Sequence, residues 1–381
     1  MEKAEQNHNV ALHAYIDPKE KQLNQQKITV EEKSFTYAMQ LVNSSVLCMA
    51  MQSAIELGVF DIIDKAGFGA KLSAKDIAEK LSCKNPDAAS MLDRVLRLLA
   101  SHSIVDCSVV DDENGPPPHL ERLYSMAPVT KYFACNGGGG SLGPLMVLTQ
   151  EKAILDSWYQ LKDAILEGGI PFNRVHGKHV FEYANLNSSF NQLFSVAMIN
   201  SATLIMNKIL ESYKGFEHIN RLVDVGGGLG VTLNIITSKY PHILGINFDL
   251  PHVIERASPY PGVEHIGGDM FESVPEGDAI LMKCVLHDWS DEHCLKVLKN
   301  CYAAISDDGK VIVVEGVLPF EPETTAAVKS ISQFDVLMMT TNPGGKERSE
   351  QEFMTLAKRA GFSGIRYKCF VYDVWVMEFF K

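Results

Sequence analysis

The spacing of apolar and polar positions changes character several times along this 381-residue chain. Residues 1–30 are polar and keep no period, which predicts a loose, flexible tail. From Thr36 to Asp64 the pattern is helical and rich in methionine: Met39, Leu41, Val42, Val46, Leu47, Met49, Ala50, Met51, Ile55, Leu57. This helix is apolar around most of its circumference, so it needs cover on several sides. In a small N-terminal region the expected cover is a second copy of the chain. Ser73 is placed to cap a helix over 74–81, and Asn85-Pro86 opens another over 87–101. A strand at 103–110, a Gly/Pro loop at 112–118 and a return at 122–126 complete a winged-helix pattern.

The glycine run at 136–141 reads as a flexible break. Past it, helices are expected over 142–168 and 179–214, with a turn at 168–172 between them. From Arg221 onward, strands at 221–225, 244–249, 263–267, 278–285 and 310–315 alternate with helices near 231–239, 251–257, 291–305 and 349–360. That alternation predicts an open parallel α/β sheet. The last two strands, 366–372 and 374–380, have almost nothing between them and must pair antiparallel. The expected boundaries are therefore a tail to 30, a helical winged-helix-like dimerisation region over 31–140, and an α/β domain over 141–381.

Composition narrows the class. Hydrophobic content is 46%, charged content 22% and net charge −12. An acidic chain is a poor partner for nucleic acid. The second helix of the winged pattern sets Asp87 and Asp93 against Arg94 and Arg97, so it offers no basic face to a groove. A DNA-binding regulator is the rival class, and this charge balance argues against it. The eight cysteines form no C-x-x-C pair and no Cys/His cluster has ligand spacing. A reducing compartment is expected, and no metal. The longest apolar run, Val46 to Met51, is far too short to span a bilayer, and the first residues lack a signal-peptide core. A cytoplasmic enzyme acting on a small molecule, away from membranes, is the expectation.

Five consecutive strand ends carry glycines or polar groups, and ligands bind at such ends. The first strand ends on Gly226-Gly227-Gly228-Leu229-Gly230, a turn that lets backbone approach a nucleoside. It reads G-x-G-x-G; the dinucleotide pattern wants its third glycine where Val231 stands. Asp249 ends the second strand and suits the two hydroxyls of a ribose. Asp269 suits an adenine amino group, with Met270 against the ring. Lys283 interrupts an otherwise apolar strand, which calls for a partner such as a nucleoside or its carboxylate side. His287 follows at the same edge and is the candidate general base. A phenol with a pKa near ~10 is a poor nucleophile at neutral pH and needs its proton taken. Glu315 and Glu347 are the candidates to orient the imidazole. Phe190, Phe194, Met198, Leu337, Met338 and Asn342 are the candidate acceptor wall.

Taken together, these motifs resemble the plant small-molecule O-methyltransferases of the caffeic acid type. The resemblance covers about 36–381. It runs through Val223–Gly230, Asn247–Val253, Pro261–His265 with Gly268–Phe271, Leu286–Glu292, Asn342–Arg348 and the closing Met377–Phe380. It implies a Rossmann-like methyltransferase sheet with an antiparallel C-terminal hairpin, behind a winged-helix-like dimerisation domain. It implies S-adenosylmethionine held by Gly226, Asp249, Leu250, Asp269, Met270 and Lys283, base His287 flanked by Glu315 and Glu347, a homodimer, and no metal. There are departures: Cys284 stands where such enzymes usually carry tryptophan, Ser201 follows Asn200 where many have histidine, and Leu148, Thr149 and Ala184 differ as well. Pro171–Gly177 is similar to anthranilate-type N-methyltransferases. Retention of His287, Glu315 and Glu347 together favours an oxygen acceptor over an arylamine.

Overall fold

The computed structural model describes residues 28–112, 119–135 and 139–381. Most of the expected tail, residues 113–118 of the 112–118 loop and residues 136–138 of the 136–141 run lie outside the described residues. The chain divides into two compact units, Met1–Ala50 and Met51–Lys381.

The single helix expected over 36–64 is three helices: α1 (Val30–Val42), α2 (Ser44–Glu56) and α3 (Val59–Lys65). α1 opens on a capping box, with Thr29 and Glu32 each accepting from the other's backbone. The first break falls where the Asn43 side chain donates to Met39 O at 3.0 Å and competes with the helical ladder. The second falls at Gly58, which is left-handed. α1 buries none of its side chains. Val30, Phe35, Tyr37, Met39, Leu41 and Val42 are all exposed.

The winged pattern forms as expected. β1 (Leu72–Ser73) leads into α4 (Ala74–Lys80), capped by Ser73 and Asp76. α5 (Ala88–Ser101) buries Leu92, Leu96 and Leu99 on one face. β2 (Val105–Asp112) and β3 (His119–Met126) pair antiparallel, and β1 adds to β3. Arg122 and the Tyr124 hydroxyl both donate to Asp93 at 2.6–3.0 Å and fasten the hairpin to α5.

The helix expected over 142–168 is three, α6 (Gly143–Thr149), α7 (Lys152–Trp158) and α8 (Leu161–Glu167); the turn expected at 168–172 runs into an unexpected helix, α9 (Pro171–His176); and the helix expected over 179–214 is two, α10 (Val180–Leu186) and α11 (Ser188–Ser212). Caps make the breaks: Glu151 accepts from Ala153 N, and Asn187 accepts from Phe190 N at 3.0 Å. α11 is long and apolar enough to cross a bilayer by length and composition. Its Met206, Ile209 and Leu210 are buried in the core against Leu233, Ile236 and Leu281, which accounts for that composition.

The central sheet comprises β4 (Arg221–Val225), β5 (Leu244–Asp249), β6 (Val263–Gly267), β7 (Gly277–Lys283), β8 (Ile305–Glu315), β11 (Gly364–Val371) and β12 (Val374–Phe380). A short parallel pair, β9 (Val317–Leu318) and β10 (Arg348–Ser349), stands apart from it. The sheet order is β11-β12-β8-β7-β4-β5-β6, and β12 alone runs antiparallel to its neighbours. The expected C-terminal hairpin is present. Around the sheet lie α12 (Val231–Lys239), α13 (Pro251–Ile254), α14 (Asp291–Ala304), α15 (Ala326–Thr341) and α16 (Glu350–Ala360). Alternate residues feed two cores. Ile280, Met282, Val311 and Val313 pack with α14 and α16, while Leu281, Ile312 and Val314 pack with α11 and α12. Both faces are covered, so the strands read as continuous apolar runs. The sequence pattern did not anticipate α15; its β-branched and hydroxyl residues are weak helix formers.

Candidate active site

The carboxyl ends of β4, β5, β7 and β8 meet at one edge, and the glycine turn sits at the end of β4, beside the central strand β7. Gly226, Gly228 and Gly230 have φ of 70°, 58° and 82°, a region that costs other residues strain. Gly227 is required for space: a Cβ there would lie 2.2 Å from Asn247 Oδ1 and 2.7 Å from Asp224 Oδ2. Those two oxygens are buried and make no hydrogen bond. Burial pushes the Asp224 carboxyl up to about 7, against the pull of Lys283. Asn247 Nδ2 donates to Gly228 O at 2.9 Å and to His265 Nδ1 at 3.0 Å. His265 therefore carries its proton on Nε2 and gives it to Ser258 O.

Asp249 holds the other side of the turn. Its Oδ2 accepts from Gly228 N at 2.8 Å and its Oδ1 from Leu250 N at 2.7 Å. Burial raises its pKa, opposed by these two N–H groups. Each oxygen keeps a lone pair free for a ribose hydroxyl. Asp269 Oδ1 accepts from Phe271 N at 2.8 Å, so it also shapes its own turn. Met270 packs at the rim of the core, and Asn300 Nδ2 holds its carbonyl at 2.8 Å. Lys283 closes β7, half-buried.

His287 lies in a 3₁₀ turn, Leu286–Asp288, just past a kink at Cys284, whose φ is 53°. Its Nδ1 is 2.8 Å from Glu347 Oε1 and 3.7 Å from Glu315 Oε2. Its Nε2 is 3.8 Å from Asp288 Oδ1. Glu315 Oε1 accepts from Val285 N and Leu286 N at 2.9 and 2.7 Å. Burial alone would lower the histidine pKa; Glu315, Asp288 and Glu347 outweigh it and hold it well above the usual value. The Glu315 and Asp288 carboxyls are pushed up by burial, Asp288 to about 7, although His287 pulls both down.

The loop from 342 to 348 clamps this turn. Lys346 N donates to His287 O at 2.9 Å. Arg348, fully buried, reaches Leu286 O at 2.6 Å, Trp289 O at 2.7 Å and Asp291 Oδ1 at 2.8–2.9 Å. Asp335 Oδ1 accepts from Glu347 N at 2.9 Å.

The acceptor candidates separate. Phe190 is 3% exposed and belongs to a helical core with Phe172 and Leu148; Leu337 packs on the same core. Phe194 meets Phe190 and Phe181, and Phe181 stacks on Trp289 at 6.0 Å, so an aromatic chain reaches the residue two after His287. Asn342 is buried and donates to Asp288 Oδ1 at 2.5 Å and Met338 Sδ at 3.3 Å. Met198 is 37% exposed, outside that cluster. Three contributors were missed. Asp288 was readable as a second acid beside His287, and Arg348 as a lone cation before a capped helix. Phe181 had no signal in sequence.

Two family models match the chain: an O-methyltransferase dimerisation domain over residues 39–136 and an O-methyltransferase domain over 158–363. The chain belongs to the O-methyltransferase family. It is 57% identical over 361 residues to catechol O-methyltransferase 1 of Solanum lycopersicum, covering 92% of this chain and 96% of that one. It is 56% identical over 351 residues to anthranilate N-methyltransferase of Ruta graveolens, covering 92% and 94%. The fold matches human N-acetylserotonin methyltransferase in complex with SAM, with a TM-score of 0.76 at 20% identity over 93% and 99% of the chains. The resemblance drawn from the motifs to caffeic-acid-type enzymes stands, and the protein is an S-adenosylmethionine-dependent methyltransferase.

Proposed function

We propose that this enzyme methylates a hydroxyl of a small aromatic plant metabolite, with His287 as general base. The observation that carries the reading is the His287–Glu347 hydrogen bond, with Glu315 beside it, at the strand edge that bears the glycine turn. The turn suits S-adenosylmethionine: Gly226, Gly228 and Gly230 take left-handed backbone, Gly227 lets the turn lie directly on Asn247 and Asp224, and the oxygens of those two beneath it are unpartnered acceptors. Gly226, Asp249, Leu250, Asp269, Met270 and Lys283 would hold it. When bound, it supplies a methyl group on a sulfonium leaving group.

With Nδ1–H given to Glu347, the neutral imidazole has its lone pair on Nε2. That nitrogen takes the phenol proton as the oxygen attacks, and Glu347 and Glu315 steady the imidazolium that forms. Asp288 and Asn342 lie beside it as a second polar point. Two acceptors 3.8 Å apart, Nε2 and Asp288 Oδ1, suit the adjacent hydroxyls of a catechol. The reading divides the chain into a dimerisation region over 31–140, homodimeric through it, and a catalytic domain over 141–381. Eight free cysteines support a cytoplasmic location.

The second reading is arylamine N-methylation, favoured by the Ruta graveolens relative. An aryl amine already has a lone pair and needs a base less. Methyl-transfer assays with catechol and arylamine panels separate the two. His287→Ala should cost roughly 10²–10⁴-fold with a phenol. Turnover confined to arylamines, or indifferent to His287, overturns the oxygen reading.

A further inference from the structure

We propose that Cys284, His287 and Glu315 form a capture site for a thiophilic divalent cation, zinc above all, and that its occupation switches methyl transfer off. Two residues separate Cys284 from His287 in a C-x-x-H pair, and the third ligand arrives from β8.

One donor atom from each of the three side chains lies within 4.8 Å of the others. Glu315 is fully buried, and its Oε2 has no hydrogen-bond partner while facing His287 Nδ1 at 3.7 Å. A buried acceptor without a donor is costly, and a cation would satisfy it. Sulfur, nitrogen and oxygen donors in one cluster match zinc and its neighbours in the transition series, and discriminate against magnesium. Zinc–ligand bonds of about 2.0–2.3 Å require the donors to close by about 1 Å, within reach of side-chain rotation. Glu347 Oε1, 2.8 Å from the same ring nitrogen, is at hand as a fourth ligand.

Binding balances simply. The Cys284 thiol releases its proton to solvent and binds as thiolate. The Nδ1 proton moves to Nε2, and the freed Nδ1 lone pair binds the ion. The imidazole then carries a hydrogen where the acceptor's proton has to go, so it no longer acts as a base. Capture rests on the geometry of the three side chains alone; the loss of turnover rests also on His287 being the base.

The test uses the full-length enzyme and Co²⁺ as a spectroscopic substitute for zinc. A thiolate-to-cobalt charge-transfer band is expected in the wild type, displaced by Zn²⁺ and missing in Cys284→Ser. Zinc should inhibit wild-type turnover reversibly, with chelator restoring it, and magnesium should not. The zinc concentration for half-inhibition, taken against each protein's own metal-free rate, should rise roughly 10–100-fold or more in Cys284→Ser. S-adenosylhomocysteine binding by calorimetry verifies that the variant is folded, and Cys284→Ala serves if it is not. No cobalt band in the wild type, or equal zinc sensitivity in folded variants, overturns the site. A Cys284-dependent band with turnover untouched by zinc leaves capture standing and overturns the switch, and with it the role given to His287.

Discussion

Glu347 Oε1 sits 2.8 Å from His287 Nδ1, although 60 positions separate the two residues. The contact exists because β10 pairs with β9, directly after Glu315 ends β8. Two carboxylates therefore flank one imidazole from neighbouring pieces of chain.

The first prediction concerns pH. Acids around His287 hold its pKa above the ordinary ~6.5, so the neutral base appears only at higher pH. The rising limb of kcat/KM against pH should lie above ~6.5, and Glu347→Gln should move it toward acid while lowering the plateau. Stability follows the same sign. A raised histidine contributes fully below about pH 6.5, and its share is lost as pH climbs through the folded value. Glu347→Gln should therefore narrow the difference between the melting temperatures at pH 6 and pH 9. An unmoved kinetic limb would count against the pair.

Donor binding should depend on Gly227. Its missing Cβ would meet Asn247 Oδ1 at 2.2 Å. Gly227→Ala is expected to weaken S-adenosylhomocysteine binding at least about tenfold, about 1.4 kcal/mol, by isothermal calorimetry. An unchanged Kd would mean that the turn has slack.

Arg348 should matter for stability as much as for turnover. It is fully buried and ties Leu286, Trp289 and Asp291 to β10. Arg348→Met keeps volume but takes the charged donor from two carbonyls and a carboxylate, which fall back on Cys294 and Lys346. The urea midpoint should fall by the equivalent of about 1.5–3 kcal/mol. A variant as stable as the parent would show that other contacts hold the loop.

The apolar face of α1 predicts assembly. Phe35 is 68% and Met39 44% exposed in the single chain, so covering them gains roughly half to two-thirds of the ~1.5–3 kcal/mol that full burial of each is worth. Replacing both with glutamate should shift sedimentation from dimer toward monomer. A mass that stays at the dimer places the contact elsewhere.

Much of the fold and of the site is legible in the sequence. The strands at 221–225, 244–249 and 263–267 were bounded by glycine, acid and proline, so their ends matched. The glycine turn, Asp249 and the His287 edge follow from strand ends alone. Helix lengths over 36–64 and 142–214 were not legible, because caps such as Asn187 look like ordinary polar residues inside an apolar run. α15 was missed for the opposite reason: serine, threonine and valine hide a helix that tertiary packing imposes. Phe181 needed the third dimension, since its place beside the site depends on Trp289, far off in sequence.

The left-handed kink at Cys284 aims the next two backbone N–H groups, those of Val285 and Leu286, at one oxygen of Glu315. That acid is thus both hinge pin and counter-charge. Removing it unlatches a corner of the chain as well as altering a field. Glu347 touches the imidazole without bracing that corner, so it is the position where charge can be tuned apart from architecture.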